Sequence, residues 1–267
     1  MPLKMEEPLK KRLAVSAVFI TITLLTIFQA PFWFFFLVVQ VFSLLGLNEF
    51  LGLVQKKNIP VNRSMGLILG ALLAFFIPSG HEFVILALAC LVLFVMHFDA
   101  RTQDQALEAT ALTVFGLVYV SLFFGYLLKM RGMANGAAWT FFAVLVTKGG
   151  DAGAYFTGKK YGRTKLIEHI SPNKSVEGAI GGFLTTLGLS VLSKLYLHHV
   201  PFVHLGLLGC LVGVFSQFGD LAESLIKRNA GVKDSGEVPG LGGILDVLDS
   251  LLLTIPFIYY YILVAGI

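Results

Sequence analysis

The chain has 267 residues, of which 56% are hydrophobic and only 13% are charged. Soluble domains carry roughly 25% charged residues, and long apolar runs recur here along the whole length. The composition therefore excludes an ordinary soluble domain and predicts an all-α, polytopic integral membrane protein. The formal net charge of +4 does not call for nucleic acid as a partner, because anionic lipid headgroups and nucleotide phosphates also attract basic residues.

Nine apolar segments are predicted to cross the bilayer. Two of them are short, near the lower limit of about 17 residues for a spanning helix. The first follows a basic cluster, as a signal peptide would, but no small-residue cleavage site follows it, so we expect it to be retained. The predicted spans are 13–29, 32–54, 65–79, 82–98, 109–128, 134–149, 175–194, 203–222 and 246–264.

The basic residues orient these spans. If the N-terminus is cytoplasmic, every Lys and Arg falls in the tail or a cytoplasmic segment except Lys129, Arg131 and Lys194. This bias predicts a cytoplasmic N-terminus and an external C-terminus in a bacterial-type cytoplasmic membrane. It also places two polar, Gly-rich loops, 148–178 and 216–250, on the cytoplasmic face.

The first polar segment mixes glycines, bases and two acids. Asp151 is predicted where the sixth span meets the cytoplasm, and the glycines would let backbone approach a ligand closely. Ser171 and Pro172 are typical of a helix entry, and we expect Ser175 to cap the seventh span. An ordinary basic loop at the headgroups is the alternative, against which Asp151 and Glu177 argue. The bases suited to phosphate are Lys159, Lys160, Arg163 and Lys165.

The second polar segment places acids on two helix faces. Asp220, Glu223 and Lys227 share one face because they are spaced i, i+3, i+7, and Asp246 and Asp249 are spaced i, i+3 at the start of the last span. Carboxylates from two helices can hold hard cations through oxygen ligands, and paired metal ions suit displacement at phosphorus. The alternative is a set of structural ion pairs, such as Asp220 or Glu223 with Lys227.

Other polar residues receive ordinary interpretations. We expect Cys90 and Cys210 to act as small buried hydrophobic residues. We expect His97 and Asp99 to form an interfacial pair, and Glu49 to make a polar contact between helices.

The two polar segments together resemble the phosphatidate cytidylyltransferase family, also called CDP-diacylglycerol synthases. The C-terminal match covers 224–249 and reads SLIKRNAGVKDSGEVPGLGGILDVLD; upstream elements match at 151–159 (DAGAYFTGK) and 171–178 (SPNKSVEG). The resemblance covers roughly residues 140–255. Two positions depart from the family pattern: Leu241 stands where His is usual, and Val247 where Arg is usual.

The resemblance implies an enzyme that transfers CMP from CTP to phosphatidic acid, giving CDP-diacylglycerol and pyrophosphate. It also implies Mg²⁺, a monovalent cation such as K⁺ beside it, and a homodimer in the lipid bilayer. We assign the metal to Asp220 and Asp246, and catalytic roles to Asp151, Lys227, Asp234 and Asp249. We assign substrate binding to Lys159, Lys174, Ser175, Arg228 and Lys233.

The chain divides accordingly into a cytoplasmic tail at 1–12, N-terminal transmembrane helices at 13–130 and a C-terminal catalytic transmembrane domain at 131–267. A cation transporter is the main alternative, because buried carboxylates and broken helices also build ion pathways. Its sites, however, lie near the midplane and often in inverted repeats, whereas the acids here cluster at one face. A CTP-dependent transferase or kinase for another lipid is a second alternative, and a structural scaffold is the least favoured.

Overall fold

The structure, a computed structural model, describes residues 20–98, 103–236 and 242–267. These residues are nearly all helical, which confirms the predicted all-α class. The helices are α1 (20–28), α2 (Phe32–Gln55), α3 (Arg63–Phe76), α4 (Glu82–Met96), α5 (Ala106–Gly116), α6 (Phe123–Arg131), α7 (Gly136–Tyr161), α8 (Val176–Leu192), α9 (Phe202–Asn229) and α10 (Ile244–Ala265). A π-helical segment, Leu117–Leu122, joins α5 to α6, and two strands, β1 (Lys165–Ile167) and β2 (Ser171–Ser175), form an antiparallel hairpin.

Within the described residues, five helices are long and apolar enough to cross a membrane by length and composition. They are Phe32–Gln55, Ala106–Arg131, Val176–Leu195, Phe202–Asn229 and Ile244–Ala265. Two shorter apolar helices cover Arg63–Ser79 and Glu82–Met96. The predicted tail at 1–12 and the start of the first predicted span, 13–19, lie outside the described residues.

The predicted glycine-rich loop after residue 148 is wrong over its first half. Helix α7 runs without a break to Tyr161, about three turns beyond the predicted end of the sixth span. Its glycines serve close packing against α8, since a Cβ on Gly153 would lie 2.6 Å from the Cβ of Thr185. Small residues that let helix backbones approach are typical of membrane bundles. The second polar segment begins within a helix, as predicted, because α9 runs to Asn229 and carries Asp220, Glu223 and Lys227.

The predicted helix entry at Ser171 and Pro172 is also wrong, because both residues belong to β2. The residue before a proline is pushed toward extended backbone, and a two-stranded hairpin has free edges that tolerate a proline. Helix α8 instead begins at Val176. The predicted cap is confirmed: the Ser175 hydroxyl accepts a hydrogen bond from the Gly178 N–H at 3.1 Å.

One end of the bundle brings the polar segments together. It is formed by the C-terminal halves of α7 and α9, the N-termini of α8 and α10, and the hairpin. Helices α9 and α10 touch through backbone there, because a Cβ on Gly219 would lie 2.6 Å from the Asp249 carbonyl oxygen. The C-terminal end of α2 joins the same end, where the Lys57 ammonium donates to the Asn229 side chain at 2.7 Å.

Candidate active site

A cavity of about 500 Å³ lies between α7, the hairpin, α8 and α9. We call it the first cavity. Five of the residues assigned from the sequence line it, namely Asp151, Lys159, Lys174, Ser175 and Asp220. The structure therefore brings together residues up to 69 positions apart in the chain, as the resemblance requires.

The wall of the first cavity contains an ion pair between β2 and α9. The Lys174 ammonium lies 2.7 Å from Asp220 Oδ2, and both side chains are partly exposed to the cavity. Glu177, in contrast, is absent from the lining. Its carboxylate accepts hydrogen bonds from the backbone N–H groups of Arg163 and Thr164 at 3.1–3.2 Å, so it secures the turn into the hairpin.

Asp151 belongs to a network that joins α7 to α10. Lys148 lies 3.0 Å from Asp151 Oδ2 and 3.5 Å from Asp249 Oδ1. The Ser250 hydroxyl donates to Asp151 Oδ2 at 2.7 Å and accepts from Lys148 at 2.7 Å. Asp249 is nearly buried, so its charge is balanced within this network.

Asp246 belongs to a neighbouring network with Lys227. The Lys227 ammonium pairs with Asp246 and also lies 2.6 Å from the fully buried carboxylate of Glu223. Asp246 Oδ2 accepts hydrogen bonds from the Gly243 N–H at 2.7 Å and from the Ser235 N–H at 3.1 Å. This arrangement fixes the start of α10 against the end of α9.

A second cavity, of about 680 Å³, adjoins this network through Ser235, and we call it the second cavity. It is formed by the end of α2, the start of α3 and the segment after α9. Two assigned residues, Lys233 and Asp234, line it together with Glu49. Glu49 accepts hydrogen bonds from the N–H groups of Ile244 and Leu245, both at 2.9 Å, which confirms a polar contact between helices.

Arg228 lines neither cavity. Its guanidinium donates to the carbonyl oxygens of Ile170 at 3.2 Å and Val232 at 3.0 Å. It therefore ties the hairpin to the end of α9. Of the two departures from the family pattern, Val247 lies on α10 and Leu241 lies outside the described residues, as does Asp99 of the predicted interfacial pair.

The donor set fits Mg²⁺ in chemistry, since carboxylate oxygens are its preferred protein ligands. Within the described ranges, however, no group of three or more His, Cys, Asp or Glu side chains is arranged to hold a metal ion. Lysines occupy the carboxylates instead: Lys174 pairs with Asp220, and Lys227 with Asp246. The two residues assigned to the metal thus belong to different networks, and an ion would replace a lysine contact at either one.

Sequence reasoning assigned no role to Ser250 and only a structural contact to Glu49. Ser250 follows Asp249 directly, and nothing in the local sequence marks its hydroxyl as a partner of Asp151, which is 99 positions away. The pairing of Lys148 with Asp151 could have been predicted, because Lys148 lies three residues before Asp151 on one helical face.

The chain is similar in sequence to known proteins of one family. A sequence profile of the cytidylyltransferase family matches residues 10–265. The chain is 32% identical over 257 residues to phosphatidate cytidylyltransferase of Bacillus subtilis, covering 92% of this chain and 94% of that protein. It is 33% identical over 263 residues to the protein of that name from Synechocystis sp., covering 86% of this chain and 88% of that protein. For the Thermotoga maritima protein of the same name the identity is 37% over 174 residues, covering 60% and 61%.

Proposed function

The chain belongs to the cytidylyltransferase family, and on that basis we propose that it transfers CMP from CTP to phosphatidic acid. The products are CDP-diacylglycerol and pyrophosphate. The observation that carries this proposal is the near full-length similarity to relatives that bear this activity in their names. The two cavities flanking a network of acids and lysines support it, because two phosphate compounds must meet at one place.

The reaction joins two polyanions. A phosphate oxygen of phosphatidic acid attacks the α-phosphorus of CTP in line, a P–O bond forms, and the bond from that phosphorus to the bridging oxygen of pyrophosphate breaks. The attacking oxygen is already ionised near neutral pH, so no protein nucleophile is needed. Positive charge must reduce the repulsion between the reactants. We assign this role to Lys159, Lys174 and Lys227, and their positions around the first cavity and in the adjoining network support the assignment.

We further propose that Asp220 and Asp246 would hold Mg²⁺, with Asp151 and Asp249 close by. Asp246 is one helical turn from Asp249 on α10, and Asp220 adjoins Gly219, whose backbone contacts Asp249. When bound, the ion would neutralise charge on the phosphates and on the leaving pyrophosphate. Lys174 and Lys227 would then shift from these carboxylates toward the phosphates. A K⁺ ion beside it and the homodimer remain predictions from the resemblance.

The topology is also a proposal. We propose nine spans, a cytoplasmic N-terminus and a catalytic domain at 131–267 in the cytoplasmic membrane. The convergence of both cavities and most loop lysines at one end of the bundle supports this arrangement. The same placement disfavours a transporter, whose charged groups would lie near the midplane. A transferase that acts on another lipid is distinguished from this enzyme by the lipid acceptor that it uses in the assay below.

The test is incorporation of labelled CTP into lipid by the purified protein in liposomes with Mg²⁺. We expect a CDP-lipid product with phosphatidic acid, and comparison with dCTP and other lipid acceptors defines the specificity. Asp246→Asn should reduce turnover by at least 100-fold while the protein stays folded by thermal unfolding. A folded wild-type protein that forms no product from phosphatidic acid would refute the proposal, and an active Asp246→Asn variant would remove Asp246 from the metal site.

A further inference from the structure

The second cavity has the composition of a site for a soluble polyanion. Among its described lining residues are three bases, Lys56, Arg63 and Lys233, and two acids, Glu49 and Asp234. Both Glu49 oxygens are already occupied by N–H and hydroxyl donors. The three bases and the exposed Asp234 are therefore the charged groups left to face a ligand, so positive charge prevails there. The volume of about 680 Å³ is within the range of about 300–1,000 Å³ for small-molecule pockets.

The three bases differ in how they are held. Arg63 is fixed at the start of α3, because its guanidinium donates to the carbonyl oxygen and the side-chain oxygen of Asn48 at 3.0 and 2.6 Å. Lys56 and Lys233 are exposed, and neither has an ion-pair partner within the described part of the chain. One fixed guanidinium and two free ammonium groups match a chain of phosphates, which needs several positive contacts at different distances.

The first cavity suits the lipid reactant. Its polar groups share the wall with Tyr155, Leu166 and Leu221. Phe156 and Phe218, which directly follow the lining residues Tyr155 and Gln217 in the chain, are exposed. A lipid phosphate can use the polar groups while its chains stay among the apolar ones. Apart from Leu53 and two glycines, the described lining of the second cavity consists of polar side chains.

A continuous set of contacts links the two cavities. Ser235 lines the second cavity and donates to Asp246, which pairs with Lys227. Lys227 reaches Glu223, one turn after Asp220 in the wall of the first cavity. Each cavity is therefore connected by direct contacts to the same set of acids and lysines.

We propose that the second cavity binds the triphosphate of the nucleotide through Lys56, Arg63 and Lys233, while the lipid phosphate occupies the first cavity. This inference rests on the proposed function for the identity of the nucleotide. It gives the N-terminal part of the chain a direct part in substrate binding, because Lys56 directly follows α2, Arg63 begins α3, and both lie outside the segments that carry the motifs.

The test measures CTP binding directly, by equilibrium binding of labelled CTP to the purified full-length protein in nanodiscs with Mg²⁺ and without phosphatidic acid. We expect Lys56→Gln and Lys233→Gln each to weaken binding by about tenfold, as loss of one charge-assisted contact does. Lys56→Arg should restore most of it. Lys57→Gln is the matched control, since Lys57 is the next residue but contacts Asn229, and it should bind CTP as the wild type does.

Steady-state kinetics provide the second measurement. Lys56→Gln should raise KM for CTP about tenfold and leave KM for phosphatidic acid unchanged, whereas Lys159→Gln should show the reverse pattern. Unchanged CTP binding in both lysine variants, or a defect confined to KM for phosphatidic acid, would overturn the inference while leaving the proposed function in place. Lysine-dependent CTP binding in a wild-type protein that makes no CDP-lipid would support the inference and refute the proposed function.

Discussion

Replacing Gly219 by Ala should separate α9 from α10 next to Asp220 and Asp249. The added Cβ would lie 2.6 Å from the Asp249 carbonyl oxygen and 3.1 Å from the Ser250 Cα, whereas ordinary contacts begin at 3.4 Å. Both neighbours belong to backbone, which cannot rotate away as a side chain can. The helices must therefore move apart by roughly 0.8 Å, which is the difference between the ordinary contact distance of 3.4 Å and the 2.6 Å to the Asp249 carbonyl oxygen. This displacement would occur where the proposed site is assembled.

The size of the effect follows from that displacement. Overpacking costs about 1–3 kcal/mol of unfolding free energy, partly offset by up to about 1 kcal/mol from the better helix propensity of Ala. A misplacement of about 1 Å in a catalytic site can lower the rate by a factor on the order of 100. We therefore expect a modest loss of stability and a loss of turnover on the order of 100-fold.

The assay is CDP-lipid formation in proteoliposomes beside thermal unfolding of the same preparation. Gly206→Ala is the matched control, because Gly206 lies on the same helix and its added Cβ would meet nothing within 4 Å. It should keep full turnover and be equally or more stable. Wild-type turnover in Gly219→Ala with a raised Tm would refute the argument that the site depends on this close approach.

Two further predictions concern stability. Lys129→Met should cost about 3–5 kcal/mol of unfolding free energy, because it leaves the buried Glu82 carboxylate without its ion pair; adding Glu82→Gln should recover much of the loss, and a stable single variant would contradict this. Ser175→Ala should cost about 1 kcal/mol by removing the α8 cap, with Ser175→Thr as the control that keeps it. Denaturant unfolding in detergent measures both, and equal midpoints for Ser175→Ala and wild type would show that the cap adds nothing.

Local patterns predicted the features that depend on neighbours along the chain. The serine cap of α8 and the start of α10 before Asp246 were predictable because capping and helical spacing involve residues within one turn. The extent of α7 was not, since its glycines match a loop signal in isolation and are explained only by α8 packed against them. The separation of Asp220 from Asp246 into two networks likewise depends on Lys174 and Lys227, whose partners are set by tertiary packing.

The hydrogen bonds from the start of α10 to Glu49 have a consequence for biogenesis. The acceptor lies in the second described helix, and its donors follow 195 and 196 residues later. At a translation rate of about 5–20 residues per second, that carboxylate would wait about 10 to 40 seconds for its partners while the intervening helices enter the bilayer. A nascent chain arrested before the last helix would therefore leave Glu49 without these two donors, and α2 without this tie to α10.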